Sequence, residues 1–447
     1  MATSKEMTAG PALPLILKFT LPLLLGNLLQ QTYSLVDAAI VGKFLGINAL
    51  ASVGASTSVV FLILGFCNGC CGGFGIPVAQ KFGARDYSTM RSYVAVSLKL
   101  AAGMSVVIAL LTSILCEDIL RIMRTPENIF EGAYAYLLVT FIGVPFTFFY
   151  NLLSSIIRAL GDSKTPLYFL VTSAFLNIFG DLFFVVVLRW GVAGSAIATV
   201  CSEGLCCLLC GIYIKKKIPL LCLGKKWWVF DKSLLGKTVS YGSTSAMQQV
   251  CLQLGKLIIQ SVVNTQGVAV MAAFTAVNRV DDFAYKPQQN IGHAMTTFLA
   301  QNKGAGHKER MKKGFQTGLL IELVYSIGLF CVIWGLAPQI MTLFAEDGDA
   351  QVVSLGISYL HLISWMYILP GLTNGVQGFF RGIGDLKVTL YSTFMNMFGR
   401  VVAVFVMIRL LQMEFASLAW ANMVGWIVML LFEVPLLVKS MRNGECG

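Results

Sequence analysis

Apolar positions along this chain come in long blocks rather than in short alternations. They run at roughly 15–41, 47–78, 89–115, 130–157, 165–188, 191–214, 233–263, 268–300, 314–337, 352–380, 386–411 and 414–438. A helix needs about 20 mostly apolar residues to cross a bilayer. It also satisfies its backbone hydrogen bonds within one segment, as lipid demands. The pattern therefore predicts an all-α polytopic membrane protein with about twelve transmembrane helices. The first block follows Lys5, Pro11 and Pro14, but it is too long for a secretory leader and shows no small-residue cleavage site. It counts as the first span.

Composition sharpens this. Of 447 residues, 56% are hydrophobic and only 12% charged, whereas soluble domains carry about 25% charged residues. A soluble globular chain, a disordered chain and a small disulfide scaffold are all excluded. The excess of Lys+Arg (33) over Asp+Glu (22) would suggest nucleic acid in a soluble protein. Position argues otherwise. Nineteen Lys and Arg fall around the even-numbered gaps, among them Lys215, Lys216, Lys217, Lys225, Lys226, Lys232 and Lys237 after the sixth span. The odd gaps hold only Lys43, Arg121, Arg124, Arg189 and Arg409, and the gap after the ninth span is acidic (Glu346, Asp347, Asp349). Positively charged loops stay inside the cell, so the even gaps and both termini are expected to be cytoplasmic. The partner of the charge is then anionic lipid and not nucleic acid.

The chain also repeats itself. Arg158-Ala-Leu-Gly-Asp-Ser-Lys recurs as Arg381-Gly-Ile-Gly-Asp-Leu-Lys, Gln80-Lys-Phe-Gly-Ala as Gln301-Asn-Lys-Gly-Ala, and Asn177-Ile-Phe-Gly as Asn396-Met-Phe-Gly. The offsets are 219 to 223 residues and the order is kept. Two pseudo-symmetric six-helix bundles are expected, residues 1–214 and 233–447, joined by a basic linker at 215–232. Six spans is an even number, so the halves are parallel repeats. Paired bundles with a cleft between them suit alternating access, whereas a channel more often builds its pore by oligomerising.

Polar residues inside the spans carry the chemistry, because an ionisable group in hydrocarbon is costly. In the first span Asn27, Gln30, Ser34 and Asp37 share one helical face. The fifth span repeats the device with Ser173, Asn177 and Asp181, and the sixth with Ser195, Thr199 and Ser202. Asp37 and Asp181 can thus meet amide and hydroxyl groups in one bundle interior; the other reading makes Asp37 an interfacial residue and Asp181 a structural acid. In the second half, Asn396 and Arg400 stand where the first has Asn177 and Asp181. A guanidinium does not release its proton in a protein, so reversible ion binding is expected in the first half only. Gln249, Gln253, Lys256 and Gln260 share a face of the seventh span, and the eighth carries Arg279, Asp281, Asp282, Lys286 and His293. The spacing of Arg279, Asp282 and Lys286 allows ion pairs along one helix, and substrate contact is the competing reading. His361 reads as a core histidine. Two C-x-x-C spacings, at Cys67 and Cys70 and at Cys207 and Cys210, lie in apolar helix and read as small-residue packing rather than a metal site. Pro22 interrupts the hydrogen bonding of the first span about four turns before Asp37 and is the candidate hinge.

Taken together, Pro22, Asp37-Ala-Ala-Ile-Val-Gly42, Gln80 to Ala84, Arg158-Ala-Leu-Gly-Asp162, Gly191-Val-Ala-Gly194 and their second-half copies resemble the multidrug and toxic compound extrusion (MATE) transporters over nearly the whole chain. The resemblance implies two six-helix bundles in a V around a central cleft, and export of cationic or amphiphilic drugs in exchange for H⁺ or Na⁺. It is similar to the DNA-damage-inducible branch, whose cation site carries over to Asp37, Asn177, Asp181 and Thr199, with Asp37 and Asp181 as the ligands if the ion is Na⁺. The other main branch has carboxylates in spans seven and ten; Gln248, Gln249, Thr373 and Asn374 stand near those places here. Gln30, Gln249, Gln253, Lys256, Arg279, Asp282 and Arg400 are the candidate substrate contacts. The expectation is therefore an antiporter of the plasma membrane, not an enzyme, acting as a monomer in the bilayer. It needs no cofactor beyond H⁺ or Na⁺ as coupling ion. A flippase for lipid-linked saccharides is the alternative, since Lys256, Arg279, Lys286 and Arg400 could meet a pyrophosphate.

Overall fold

The computed structural model describes residues 6–224, 227, 231–344, 350–411, 415 and 417–442. Lys5, Lys225, Lys226, Glu346, Asp347 and Asp349, used above for topology, lie outside the described residues. Among those described, the regular structure is helical and no strand forms. In chain order the helices are α1 (Ala12–Leu45), α2 (Ile47–Gly83), α3 (Tyr87–Ile114), the short α4 (Cys116–Ile122), α5 (Glu127–Ala159), α6 (Lys164–Asp181) and α7 (Gly191–Lys217). They continue as α8 (Lys232–Val263), α9 (Val268–Gly304), α10 (Lys308–Phe344), α11 (Ala350–Ser364), α12 (Ile368–Ile383), α13 (Leu386–Phe405) and α14 (Ser417–Arg442). Among the described residues, ten helical segments are both long and apolar enough to cross a membrane, with α11 and α12 counting as one. Helices α8 and α9 have the length, at 32 and 37 residues, but a more polar composition. The fold is that of an all-α, multi-pass membrane protein.

Two of the three repeated motifs turn out to be helix terminators. At the end of α5 the chain turns through Gly161 at φ 86°, and at the end of α12 through Gly384 at φ 85°. A side chain is strained in that left-handed region, which explains glycine in both copies. After Gly161, Asp162 caps α6: its Oδ1 accepts from the backbone of Lys164 (3.0 Å) and Thr165 (3.1 Å). The other motif closes α2 and α9 alike, with Ala84 N donating to Gln80 O and Ala305 N to Gln301 O, each at 3.0 Å. Asp86 then caps α3 through Thr89 N (3.1 Å) and pairs with Lys81 (3.0 Å). These contacts, Thr89 first, hold the Asp86 carboxyl below its ordinary range.

Contacts gather the helices into two units, one of Leu21–Ala246 and one of Met7–Thr20 with Met247–Gly447. In the first unit α5 packs on α2, α3 and α7, and α7 packs on α6. In the second, α9 packs on α10 and α12, and α13 on α14. The core of the second unit includes Tyr359, Ile363, Met366, Tyr367 and Trp426. Met7 is tied into it: its N–H donates to Gln301 Oε1 (2.8 Å) and its carbonyl accepts from Asn302 (3.1 Å) and Arg310 (3.0 Å). Helix α1 therefore starts in one unit and passes into the other at Thr20–Leu21, next to Pro22.

Within the first unit, α2 approaches the beginning of α8 backbone to backbone. A Cβ at Gly73 would stand 2.3 Å from the Tyr241 carbonyl oxygen, while one at Gly72 would meet nothing within 4 Å. Close approach through small residues is how membrane helices gain packing when lipid competes equally for apolar surface. Gly73→Ala is therefore expected to lower stability by roughly 1–3 kcal/mol. Gly72→Ala should stay within about 1 kcal/mol of the parent. Thermal unfolding of the two purified variants checks the difference.

Candidate cation-binding site

Three helices of the first unit bring the acidic face together. Asp37 lies on α1, Asn177 and Asp181 on α6, and Ser195, Thr199 and Ser202 on α7. Ser195 Oγ donates to Asp37 Oδ1 at 2.7 Å, and Asn177 Nδ2 to Thr199 Oγ1 at 3.0 Å. The Asp37 and Asp181 carboxyls are neighbours. Asp181 is the last residue of α6, where the helix widens into a π-helical turn at Leu182–Val187. Such turns shift a side chain off the α-helical register and are frequent at functional sites.

Counting donors shows what the site lacks. Asp181 is 0% exposed and Asn177 2%. Neither Asp181 oxygen receives a hydrogen bond, nor does Asn177 Oδ1, among the described residues. A buried carboxylate without donors, beside a second carboxylate, is one of the costliest arrangements a protein can hold. A proton on one carboxyl, or a monovalent cation between the oxygens, removes the conflict. Among the described residues no three His, Cys, Asp or Glu side chains gather as a metal site, so a cation here would be held by two carboxylates with amide and hydroxyl oxygens.

Sequence reasoning missed a third acid. Glu203 on α7 accepts a short hydrogen bond from Thr147 of α5. It lies within electrostatic reach of Tyr33 and Tyr136, which also feel Asp37. The signal was present: Glu203 follows Ser195 and Thr199 at steps of four on the same helical face. Gln30 sits by the Tyr33 hydroxyl.

In the second unit Lys256, Asp282 and Asp281 find partners. Lys256 of α8 pairs with Asp282 of α9 at 3.3 Å, both about half exposed. The ion pair thus runs between helices rather than along α9, and Lys286 adds its charge nearby. Arg279 is exposed, and Gln249 and Gln253 are half-buried on α8. Arg400 faces Asp281, whose carboxylate accepts from Tyr367 (2.5 Å) and Tyr359 (2.9 Å). His361 packs against Trp334, ring centroids 4.7 Å apart. The cysteines of both C-x-x-C spacings are free thiols within helices.

Comparison with known proteins gives a consistent result. The sequence matches the MatE family over residues 22–183 and again over 245–407, the two halves that the internal repeat marks. The chain is 31% identical over 388 residues to the probable multidrug resistance protein YpnP of Bacillus subtilis (strain 168), covering 86% of each chain. It is 30% identical over 389 residues to the probable multidrug resistance protein YoeA of the same strain, covering 85% of this chain and 82% of the relative. Its fold is similar to that of a multidrug resistance MATE family transporter of the MOP superfamily solved in an outward-facing conformation. The TM-score is 0.91 at 22% identity, over 100% of this chain and 99% of the other.

The Lys256–Asp282 pair can be weighed directly. Partly solvated ion pairs contribute at most about 1 kcal/mol, so Lys256→Gln is expected to shift unfolding by no more than that. A larger loss in thermal unfolding would make the pair a structural element.

Proposed function

This chain belongs to the MatE family of membrane transporters, and from that premise we propose that it is a secondary antiporter that expels organic cations or amphiphilic drugs in exchange for H⁺ or Na⁺. The observation that carries the reading is the Asp181 carboxyl, buried without a donor beside Asp37. A static structure has no use for such a group, and an ion carrier needs one. With both carboxyls charged, the site demands water. Binding a proton or Na⁺ halves that charge and relieves the repulsion between the carboxyls, which favours a closed bundle. An ion drives the cycle to the extent that it binds one state better than the other. Asn177 and Thr199 supply the remaining oxygens, and Ser195 holds Asp37 in place.

Pro22 fits the part of the hinge. It leaves the Lys18 carbonyl without its helical partner, and it stands beside the point where α1 passes from one contact unit to the other. Bending there would move the Asp37 face without breaking the Met7 anchorage. Gln30 and Glu203 on this acidic face suit a cationic substrate, and Gln249, Gln253, Arg279, Asp282 and Arg400 remain the proposed second-half contacts. The flippase alternative is weakened at Lys256, which pairs with Asp282; Arg400 lies within electrostatic reach of Asp281. The distribution of basic loops supports cytoplasmic termini, and nothing in the mechanism requires a second chain.

Asp37→Asn and Asp181→Asn keep the shape of the side chain and lose its ability to change charge. Each is expected to lower gradient-driven export by at least about tenfold, with expression intact. Proteoliposomes with H⁺ and Na⁺ gradients imposed separately supply the measurement, and wild-type export by both variants would overturn the assignment. Pro22→Ala restores a helix hydrogen bond and should slow transport several-fold, on the order of half a decade, while leaving equilibrium drug binding unchanged. Wild-type rates in that variant would make the proline a packing feature.

A further inference from the structure

We propose that Glu322, in the second half of the chain, is a second proton-exchange site, binding and releasing one proton in concert with the side chain of Gln288. This goes beyond the first-half site and departs from the expectation that reversible binding is confined there. That expectation compared only the positions equivalent to Asn177 and Asp181. Glu322 lies elsewhere, on α10.

Glu322 is midway along a 37-residue helix that is among the most apolar in the chain. It is 0% exposed, and neither carboxyl oxygen receives a hydrogen bond among the described residues. Gln288 on α9 is also 0% exposed, and its Oε1 is likewise without a donor. The Gln288 amide cannot solve the problem by turning, because its Nε2 already donates to the Tyr367 carbonyl (2.8 Å) and to Ser326 Oγ (3.1 Å). The Ser326 hydroxyl is spent on the carbonyl of Glu322 itself (2.7 Å). These groups converge on α12 at Gly371: a Cβ added there would lie 2.9 Å from Ser326 Oγ, 3.2 Å from Gln288 Nε2 and 3.4 Å from Glu322 Oε2. The two donors at Gly371, Gln288 Nε2 and Ser326 Oγ, are committed, and acceptors are left over there; the buried Tyr285 hydroxyl, on α9 with its ring against Tyr367, is the nearby phenol without a partner among the described residues. A proton on Glu322 supplies the missing donor, and Gln288 Oε1 is the neighbouring acceptor without one.

The surroundings hold no charge that would keep Glu322 ionised. Tyr325 on α10 is the titratable neighbour, and its hydroxyl donates to the Ala284 carbonyl (3.2 Å) instead. On α9, Asp281 is occupied by Tyr359 and Tyr367. No Lys, Arg or His forms an ion pair with Glu322 among the described residues. The other donorless buried acid of this unit, Glu433, differs in lying within electrostatic reach of Arg381. A proton suits the cluster better than Na⁺, because the Tyr367 carbonyl already accepts from both Gln288 and Ser326 and Ser326 Oγ accepts from Gln288, which leaves few free lone pairs beside the carboxyl for a coordination shell.

The backbone around the cluster is interrupted in ways that permit opening. Pro287 precedes Gln288 inside α9. Between α11 and α12 the helix tightens into a 3₁₀ turn at Trp365–Tyr367, followed by Pro370. Tyr367 belongs to both buried acids, its carbonyl accepting from Gln288 and its hydroxyl donating to Asp281. When water reaches the cluster, the Glu322 O–H bond breaks and the proton passes to water, leaving a carboxylate that must be solvated. When the cluster dries, the carboxylate must take a proton back.

The test uses the full-length protein in proteoliposomes and N,N′-dicyclohexylcarbodiimide, which adds to protonated carboxyls in apolar surroundings. Peptide mass spectrometry reads the modification at Glu322 separately from Asp37 and Asp181. Modification at Glu322 is expected to fall at least about tenfold as the pH is raised from about 6 to about 9. Glu322→Gln is expected to lower the proton-to-substrate ratio, measured from reversal potentials, by one. Modification that ignores pH would make Glu322 a fixed structural acid and overturn the proposal, as would its absence at every pH. Protection by Na⁺ at constant pH would overturn it in favour of a sodium site. An unchanged ratio in Glu322→Gln would also overturn it, and if that variant does not fold, the labelling of the wild-type chain decides.

Discussion

A carboxylate that cannot find a hydrogen-bond donor inside a membrane-spanning bundle is the constraint on which the rest depends. Water is absent from hydrocarbon, so the charge must be neutralised, paired or hydrated by a change of shape. Asp281 takes the second route, with two phenols and the field of Arg400. Asp181 and Glu322 take neither pairing nor donors. For these two the energetics favour neutralisation by an ion when dry and exposure to water when charged. That alternation is the physical content of ion-coupled transport.

The surrounding helices carry interruptions that suit the proposed alternation. Proline stands within α1, α2, α5, α9, α10 and α14, and each removes a hydrogen bond that a straight helix would keep. The π-helical turns after α6 and α13 and the 3₁₀ turn after α11 add further places where the ladder is already loosened. Elsewhere packing is close and unforgiving, as at Gly73 against Tyr241. Close contact within a unit is thus combined with interrupted hydrogen bonding along particular helices.

Much of this was legible in the sequence, because hydropathy and periodicity report directly on what a bilayer requires. The polar faces of the first half were readable along each helix, and the structure brings Ser195 to Asp37 and Asn177 to Thr199. The repeat was readable as well, though its meaning as helix termination needed the left-handed glycines at 161 and 384. Glu203 is hidden in a face marked by the hydroxyls of Ser195 and Thr199, and its partner Thr147 lies on another helix. Glu322 escaped for a deeper reason: its significance lies in which donors on α9 and α12 are already used, and no spacing within α10 carries that. The Lys256–Asp282 pair was likewise hidden, since helical periodicity describes neighbours along one helix and not across two.

Competition between ion and substrate at the first-half carboxyls tests the coupling mechanism most directly. The measurement is equilibrium binding of a fluorescent organic cation to the purified protein across H⁺ and Na⁺ titrations, for the wild type and for the Asp37→Asn, Asp181→Asn double variant. The predicted result is that raising one of these ions weakens substrate binding to the wild type, and that most of this dependence disappears in the double variant. Substrate affinity independent of both ions in the wild type, or full competition retained in the double variant, would contradict it.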